Sequence, residues 1–149
     1  VGDMLFTYTL NEGINRKATI DLSCDQTRDS IVIVQSGTNS NPQLSFVDEI
    51  VNAGAEAGTV QVRLASNVMN SLDQLYPSVV YYSYGEPGPM AQIDGTGWIS
   101  ACRIADNVAY LDLTSNTSGE KRTADFILRL NNGMDIDFTI SIRIRQNSL

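Results

Sequence analysis

Apolar residues recur at every second position over much of this chain. The longest run covers residues 135–145, where Ile136, Phe138, Ile140, Ile142 and Ile144 fall on one face. Asp135, Asp137, Thr139, Ser141, Arg143 and Arg145 fall on the other. Successive side chains of a strand point to opposite faces, so this pattern predicts a long strand with one buried and one wet side. The same alternation predicts strands at residues 4–10, 17–23, 59–65, 109–114 and 123–130, and the β-branched run at 31–34 suits a central strand. Turn signals rich in Asn, Gly, Ser and Pro separate these runs at residues 11–13, 36–42, 52–54 and 131–133. Short strands punctuated in this way predict an all-β, antiparallel sandwich or barrel. One segment has helical spacing: Val68, Met69, Leu72, Leu75 and Tyr76 fit one face of a short helix ended by Pro77. An irregular loop accounts for that segment equally well.

An internal repeat organises the strands. Residues 5–37 and 110–147 share an alternating strand, an Asn, a Gly-containing turn, Arg-x-Ala opening a new strand, and a last strand closing on Gln. Asn11, Arg16, Ala18 and Gln35 correspond to Asn116, Arg122, Ala124 and Gln146. Recurrence in both copies points to an architectural role for the Arg and Gln: tying down turn carbonyls, stacking on an aromatic or capping a sheet edge. The expected organisation is the last three strands of a first module at 1–37, a linker at 38–42 and a complete second module at 43–149.

Composition narrows the chemistry. The 149 residues carry 10 Lys and Arg against 17 Asp and Glu, a formal net charge of −7. Nucleic acid and anionic membranes are therefore poor partners. The chain holds no histidine, the commonest general base near neutral pH and the commonest metal ligand. Cys24 and Cys102 form no CxxC spacing, so no metal site is expected. A disulfide between them would have to cross two modules, and two unpaired, buried thiols are the expectation. No apolar run approaches the roughly 20 residues of a membrane-spanning helix. The opening residues already alternate as a strand rather than reading as a signal peptide, as in a chain processed or cut from something longer.

The second module resembles the BACON family, whose name stands for Bacteroidetes-associated, carbohydrate-binding, often N-terminal. The resemblance is carried by PQLSF, AGAEAGTVQVRLASN, GWIS, YLDLTSNTSGEKRTADFIL and FTISIRIRQ in the family's order. It spans residues 42–147, and residues 1–37 look like the end of a preceding copy. The sequence departs from the family pattern after Asn67, where about thirty residues intervene before Trp98. The resemblance implies an immunoglobulin-like β-sandwich of about seven strands. It also implies a secreted or cell-surface setting in a multidomain bacterial protein, and glycan or mucin binding.

The candidate ligand-binding residues are Tyr81, Tyr82, Tyr84, Gln92 and Asp94, around the stretch GEPGP and Trp98. Sugar rings stack their C–H faces on aromatic rings and need Asp, Asn or Gln for their hydroxyls. Core packing accounts for the same aromatics: Trp98 shares strand phase with Cys102 and Ile104, and VVYYSY sends Val80, Tyr82 and Tyr84 one way and Val79, Tyr81 and Ser83 the other. No catalytic residue is assigned. Asp135 and Asp137 share a strand face, yet that face looks solvated and also carries Arg143 and Arg145. No cofactor and no calcium loop is expected. The leading expectation is a monomeric, non-catalytic glycan-binding module attached to other domains. Its rivals are a rigid spacer with no ligand and an adhesion module using a sheet edge.

Overall fold

The computed structural model describes residues 2–149 and is almost entirely β. A hairpin comes first, β1 (Arg16–Cys24) and β2 (Thr27–Gln35). Nine further strands follow: β3 (Leu44–Phe46), β4 (Ile50–Ala53), β5 (Gly58–Ser66), β6 (Leu75–Ser83), β7 (Glu86–Ala91), β8 (Ile99–Ala105), β9 (Val108–Leu113), β10 (Arg122–Asn131) and β11 (Asp137–Gln146). They form a five-stranded sheet in the order β4-β11-β10-β6-β7 and a four-stranded sheet in the order β3-β5-β9-β8. The hairpin is a separate two-stranded sheet.

The alternation read along the chain is what holds the two larger sheets together. Val62 and Leu64 of β5, Ala109, Leu111 and Leu113 of β9, Ala124, Phe126, Leu128 and Leu130 of β10, and Ile142 and Ile144 of β11 all lie in one buried cluster. Fully burying a side chain of this size stabilises by about 1.5–3 kcal/mol, so the sandwich rests mainly on these positions. Ile136, just before β11, and Phe138 and Ile140, in its first half, pack against the cluster but stay half-exposed.

Several expectations change against the structure. β4 runs parallel to β11, pairing Arg143 with Ile50 and Gln146 with Ala53, so the five-stranded sheet is mixed rather than wholly antiparallel. The helical segment is a pair of short 3-10 turns within Met69–Gln74, kinked at the non-helical Ser71, with β6 starting immediately after it. Pro77 therefore sits inside β6, opposite Leu128. Its missing N–H is tolerated because β7 pairs with β6 only from Val79 onward, leaving one side of Pro77 open. A register shift between Ile99 and Ala101 turns Ile99 inward, so Trp98 is not a mid-sheet core residue on the phase of Ile104. Trp98 instead lies at one end of the sandwich, tilted against Tyr81 with ring centroids 5.6 Å apart. Residues 4–10 join no strand ladder.

The repeat read from the sequence is visible as a duplicated clamp. Arg122 Nε donates to Gln146 Oε1 at 2.8 Å, and Arg122 also donates to the Thr114 carbonyl and hydroxyl at 2.8 and 3.0 Å. Gln146 Nε2 donates to the same Thr114 carbonyl at 2.8 Å. In the first segment, Arg16 Nε donates to Gln35 Oε1 at 2.7 Å and its terminal nitrogen to the Thr9 carbonyl and hydroxyl, both at 3.1 Å. Gln35 Nε2 completes the set with the Thr9 carbonyl at 2.6 Å. Cross-strand pairing matches too, Arg16 with Gln35 and Arg122 with Gln146.

The two copies meet through the loop before β1. Ile14 is buried in the core cluster of the sandwich, and its N–H donates to Ser71 Oγ at 3.0 Å. Asn132 Nδ2 reaches the Asn15 carbonyl at 3.2 Å. Gly13 packs so closely on Asn70 and Ser71, and Gly37 so closely on the Gly13 carbonyl, that a Cβ at either would overlap them. Gly37→Ala should therefore lower stability by about 1–3 kcal/mol in urea unfolding. Gln146→Ala, which removes a fully buried amide and its bonds to Arg122 and Thr114, should cost about 1–3 kcal/mol, followed by the fluorescence of Trp98. Gln35→Ala, at the water-accessible copy of the clamp, should cost less than half of that.

Candidate functional site

The outer face of the five-stranded sheet carries a connected polar cluster where β6, β10 and β11 run side by side. Asp125 lies opposite Arg143 across the β10–β11 pair. Arg143 Nε donates to Asp125 Oδ1 at 3.0 Å, and the Tyr82 hydroxyl donates to Asp125 Oδ2 at 2.8 Å. A second Arg143 nitrogen donates to the Tyr82 hydroxyl at 2.9 Å, and the guanidinium lies 4.7 Å from the centre of the Tyr82 ring. The hydrogen bond to Asp125 pushes the Tyr82 phenol above its ordinary range and the Arg143 guanidinium higher still. Tyr82 is thereby fixed as a neutral, oriented ring with one face taken by Arg143.

Beside this cluster the surface opens into a cleft of about 520 Å3, rimmed by Tyr84, Ser118 and Lys121 and floored by Tyr82, Arg143 and Arg145. Arg122 and Glu120 line its far side. Four of the chain's ten cations meet here, against the carboxylates of Glu120 and Asp125. On a protein of net charge −7 this is a local reversal of sign.

Local structure explains how Tyr84 comes to the rim. Ser83 pairs with Glu86, so Tyr84 and Gly85 form a two-residue hairpin loop. Both have positive φ, 51° and 80°, the combination that favours Asn-Gly in such turns. A tyrosine there is a strained choice, and its side chain is wholly exposed. The turn places a bare aromatic ring at a position where local preference calls for a small polar residue.

The residues singled out from the sequence separate into three groups. Tyr82 and Tyr84 line the cleft. Tyr81 points to the other side of β6, packs on Trp98 and bonds the backbone of Ile99 through its hydroxyl; burial pushes its phenol above the ordinary range, against the opposing pull of the Ile99 bond. Gln92 and Asp94 lie on the connection between β7 and β8 and do not line the cleft. Asp94 instead accepts from the hydroxyl and N–H of Thr96, at 2.6 and 3.0 Å, and these bonds hold its carboxyl below the usual range. From the sequence, Arg143 and Arg145 stood only as parts of a wet strand face, and Lys121 was not singled out. They gather with Tyr82 because β6 and β11 flank β10, a register that alternation alone does not supply.

Other candidate chemistry resolves into local structure. Asp137 accepts two bonds from Arg129, at 2.7 and 2.8 Å, and Asp135 accepts from Asn132 at 2.9 Å. Both cysteines are free. Neither is fully buried, contrary to expectation: Cys102 is half-buried on β8 and Cys24 is exposed, because the inner face of β1 has no opposing sheet.

The fold and cleft define a two-sheet β-sandwich with an exposed aromatic and cationic surface on one outer face. No family model matches the chain, and no curated protein matches it. Among solved structures it is similar to the NMR structure of a protein from Bacteroides thetaiotaomicron, at 16% identity over 76% of this chain and 92% of that one, with a TM-score of 0.47.

Burial pushes the Cys102 thiol up to about 11. At pH 8 its thiolate fraction is then on the order of one in a thousand, so Cys24 should supply the single fast equivalent in a thiol assay. Cys24→Ser should remove that phase and leave only slow reaction. Because folding raises this pKa, the stability that Cys102 contributes is complete below its ordinary value of 9.0 and is lost as the pH climbs toward 11. Urea midpoints measured across that window should fall, and Cys102→Ser should flatten the fall.

Proposed function

We propose that this chain is a non-catalytic recognition module of an exported bacterial surface protein of the BACON type, and that its cleft binds acidic glycans. The exported setting and the family rest on the residue blocks quoted from the sequence. The ligand class rests on one observation, the meeting of Tyr82 and Tyr84 with Lys121, Arg143 and Arg145. A sugar ring offers its C–H face to an exposed aromatic, while a uronate, sialate or sulfate group pairs with guanidinium and ammonium groups. The exposed, open site suits weak binding of one or two sugar units, since such contacts remain in competition with water and salt. The carboxylates tied into ion pairs by Arg129 and Arg143 are engaged as structural partners, which supports a binding rather than a hydrolytic role.

A spacer with no ligand is the second reading, favoured by the duplicated Arg–Gln–Thr clamp and the close junction at Ile14. A glycan array carrying polyuronates, sialylated and sulfated chains beside neutral ones separates the two. Binding to the acidic members that weakens as salt rises is the expected result, and a blank array leaves the spacer. Arg145→Ala should weaken acidic-glycan binding about 5- to 10-fold, corresponding to the roughly 1–1.5 kcal/mol of one exposed charged hydrogen bond. Tyr84→Asn discriminates further. Asn suits the positive φ, so stability should hold or rise by up to about 1 kcal/mol while binding falls.

A further inference from the structure

A concavity of about 780 Å3 lies away from the cleft, between residues 6–9 and the β1–β2 hairpin. Beside polar residues such as Thr9, Arg16 and Gln35, its walls include apolar side chains that a folded sheet ordinarily hides: Phe6, Tyr8, Ala18, Ile20 and Ile33. The duplicated clamp assigns each wall residue a counterpart in the sandwich. With Thr9 matched to Thr114, Phe6 and Tyr8 fall on Leu111 and Leu113. With Arg16 matched to Arg122, Ala18, Ile20 and Leu22 fall on Ala124, Phe126 and Leu128. With Gln35 matched to Gln146, Ile31 and Ile33 fall on Ile142 and Ile144. Every one of these counterparts is buried. In the first copy, Ala18 and Ile31 are exposed, and Ile20, Leu22 and Ile33 are only half-covered.

The edges tell the same story as the face. In the sandwich, β10 is flanked by β6 and β11 by β4. In the hairpin, β1 and β2 pair with each other alone, so both outer edges are open. Two strands with an uncovered apolar face and two open edges cannot be stable by themselves. The cover that fits is dictated by the repeat: a segment supplying counterparts of β3, β5 and β8 opposite the face, and of β4 and β6 along the edges.

We propose that the open face of β1 and β2 is half of an intersheet core, and that it docks a strand-forming segment N-terminal to it in the same polypeptide. That segment would have the length and strand order of residues 43–107. A second copy of this chain fits less well, because its own residues 43–107 are committed to its sandwich and are not free to serve as the cover.

Cys24 reports on the proposal, since it shares a strand face with Ala18, Ile20 and Leu22 and is exposed in this chain. In a Cys102→Ser background it becomes the lone thiol. Its alkylation by a small maleimide would be timed in this 149-residue chain and in the natural polypeptide extended through whatever precedes it. The expected result is a rate on the order of 100-fold slower in the longer protein, as for a group reached only through local opening. Equal rates in the two proteins overturn the proposal, as does a natural polypeptide with no strand-forming sequence before this chain. Protection that appears in the 149-residue chain as its concentration rises, together with a dimer by light scattering, also overturns it, in favour of a second copy. As a second readout, Ile33→Asp should leave the urea midpoint of the short chain within error and abolish the Cys24 protection in the longer one. Protection that survives Ile33→Asp places the cover elsewhere and sinks the idea.

Discussion

The buried amide of Gln146 is the constraint on which the sandwich depends. It stands at the end of β11, fully shielded from water, where an unpaired polar group would cost about 1–3 kcal/mol. Its oxygen is met by Arg122 from β10 and its nitrogen by the carbonyl of Thr114, just past β9. β10 and β11 belong to one sheet and β9 to the other. One side chain therefore ties both layers at the end where the chain leaves the fold. It can do so only if the apolar faces of β9, β10 and β11 are already in register, so the polar tie and the hydrophobic core enforce each other.

From that tie the arrangement of the cleft follows. Holding β10 against β11 sets Asp125 opposite Arg143, and β6 on the other side brings Tyr82 within reach of both. Arg122 serves twice: its guanidinium closes the clamp and lies 4.7 Å from the centre of the Trp98 ring, while its exposed margin lines the cleft. The surface proposed to meet a ligand is thus built on paired strands rather than on a free loop, with only Tyr84 carried on a turn. Rigid elements of this kind limit the entropy lost on binding, which matters most when the contacts are few and wet.

The fold was legible in the sequence because its signal is local. Period-two alternation identifies β5, β9, β10 and β11 and the inward sides of Leu111, Phe126 and Ile144 without any knowledge of pairing. The equivalence of Arg16 with Arg122 and Gln35 with Gln146 was legible for a similar reason, since a repeated tie leaves a repeated motif. What escaped depends on events between distant segments. The one-residue shift after Ile99 moves Trp98 off the expected phase, and no periodicity announces a bulge. Pro77 reads as a helix stop until the short partner β7 is known to leave its side of β6 free. The candidate site was half legible. Tyr82 and Tyr84 stand out as aromatics, whereas Arg143 and Arg145 lie some sixty residues away and look like ordinary solubilising charges until the strand order is seen.

The seating of Ile14 in the sandwich core bears on how this protein would carry tension. The hairpin is joined to the sandwich by more than the covalent strand between them: an apolar plug at Ile14, a backbone contact to Ser71 and a bridge from Asn132 to Asn15. A pull on the residues before Asn11 would not simply straighten a slack tether. It would load those contacts first, and through them the ends of β6 and β10, so that force enters the sandwich at its core. With such a joint, hairpin and sandwich bend as one stiff rod instead of swivelling about a flexible knot.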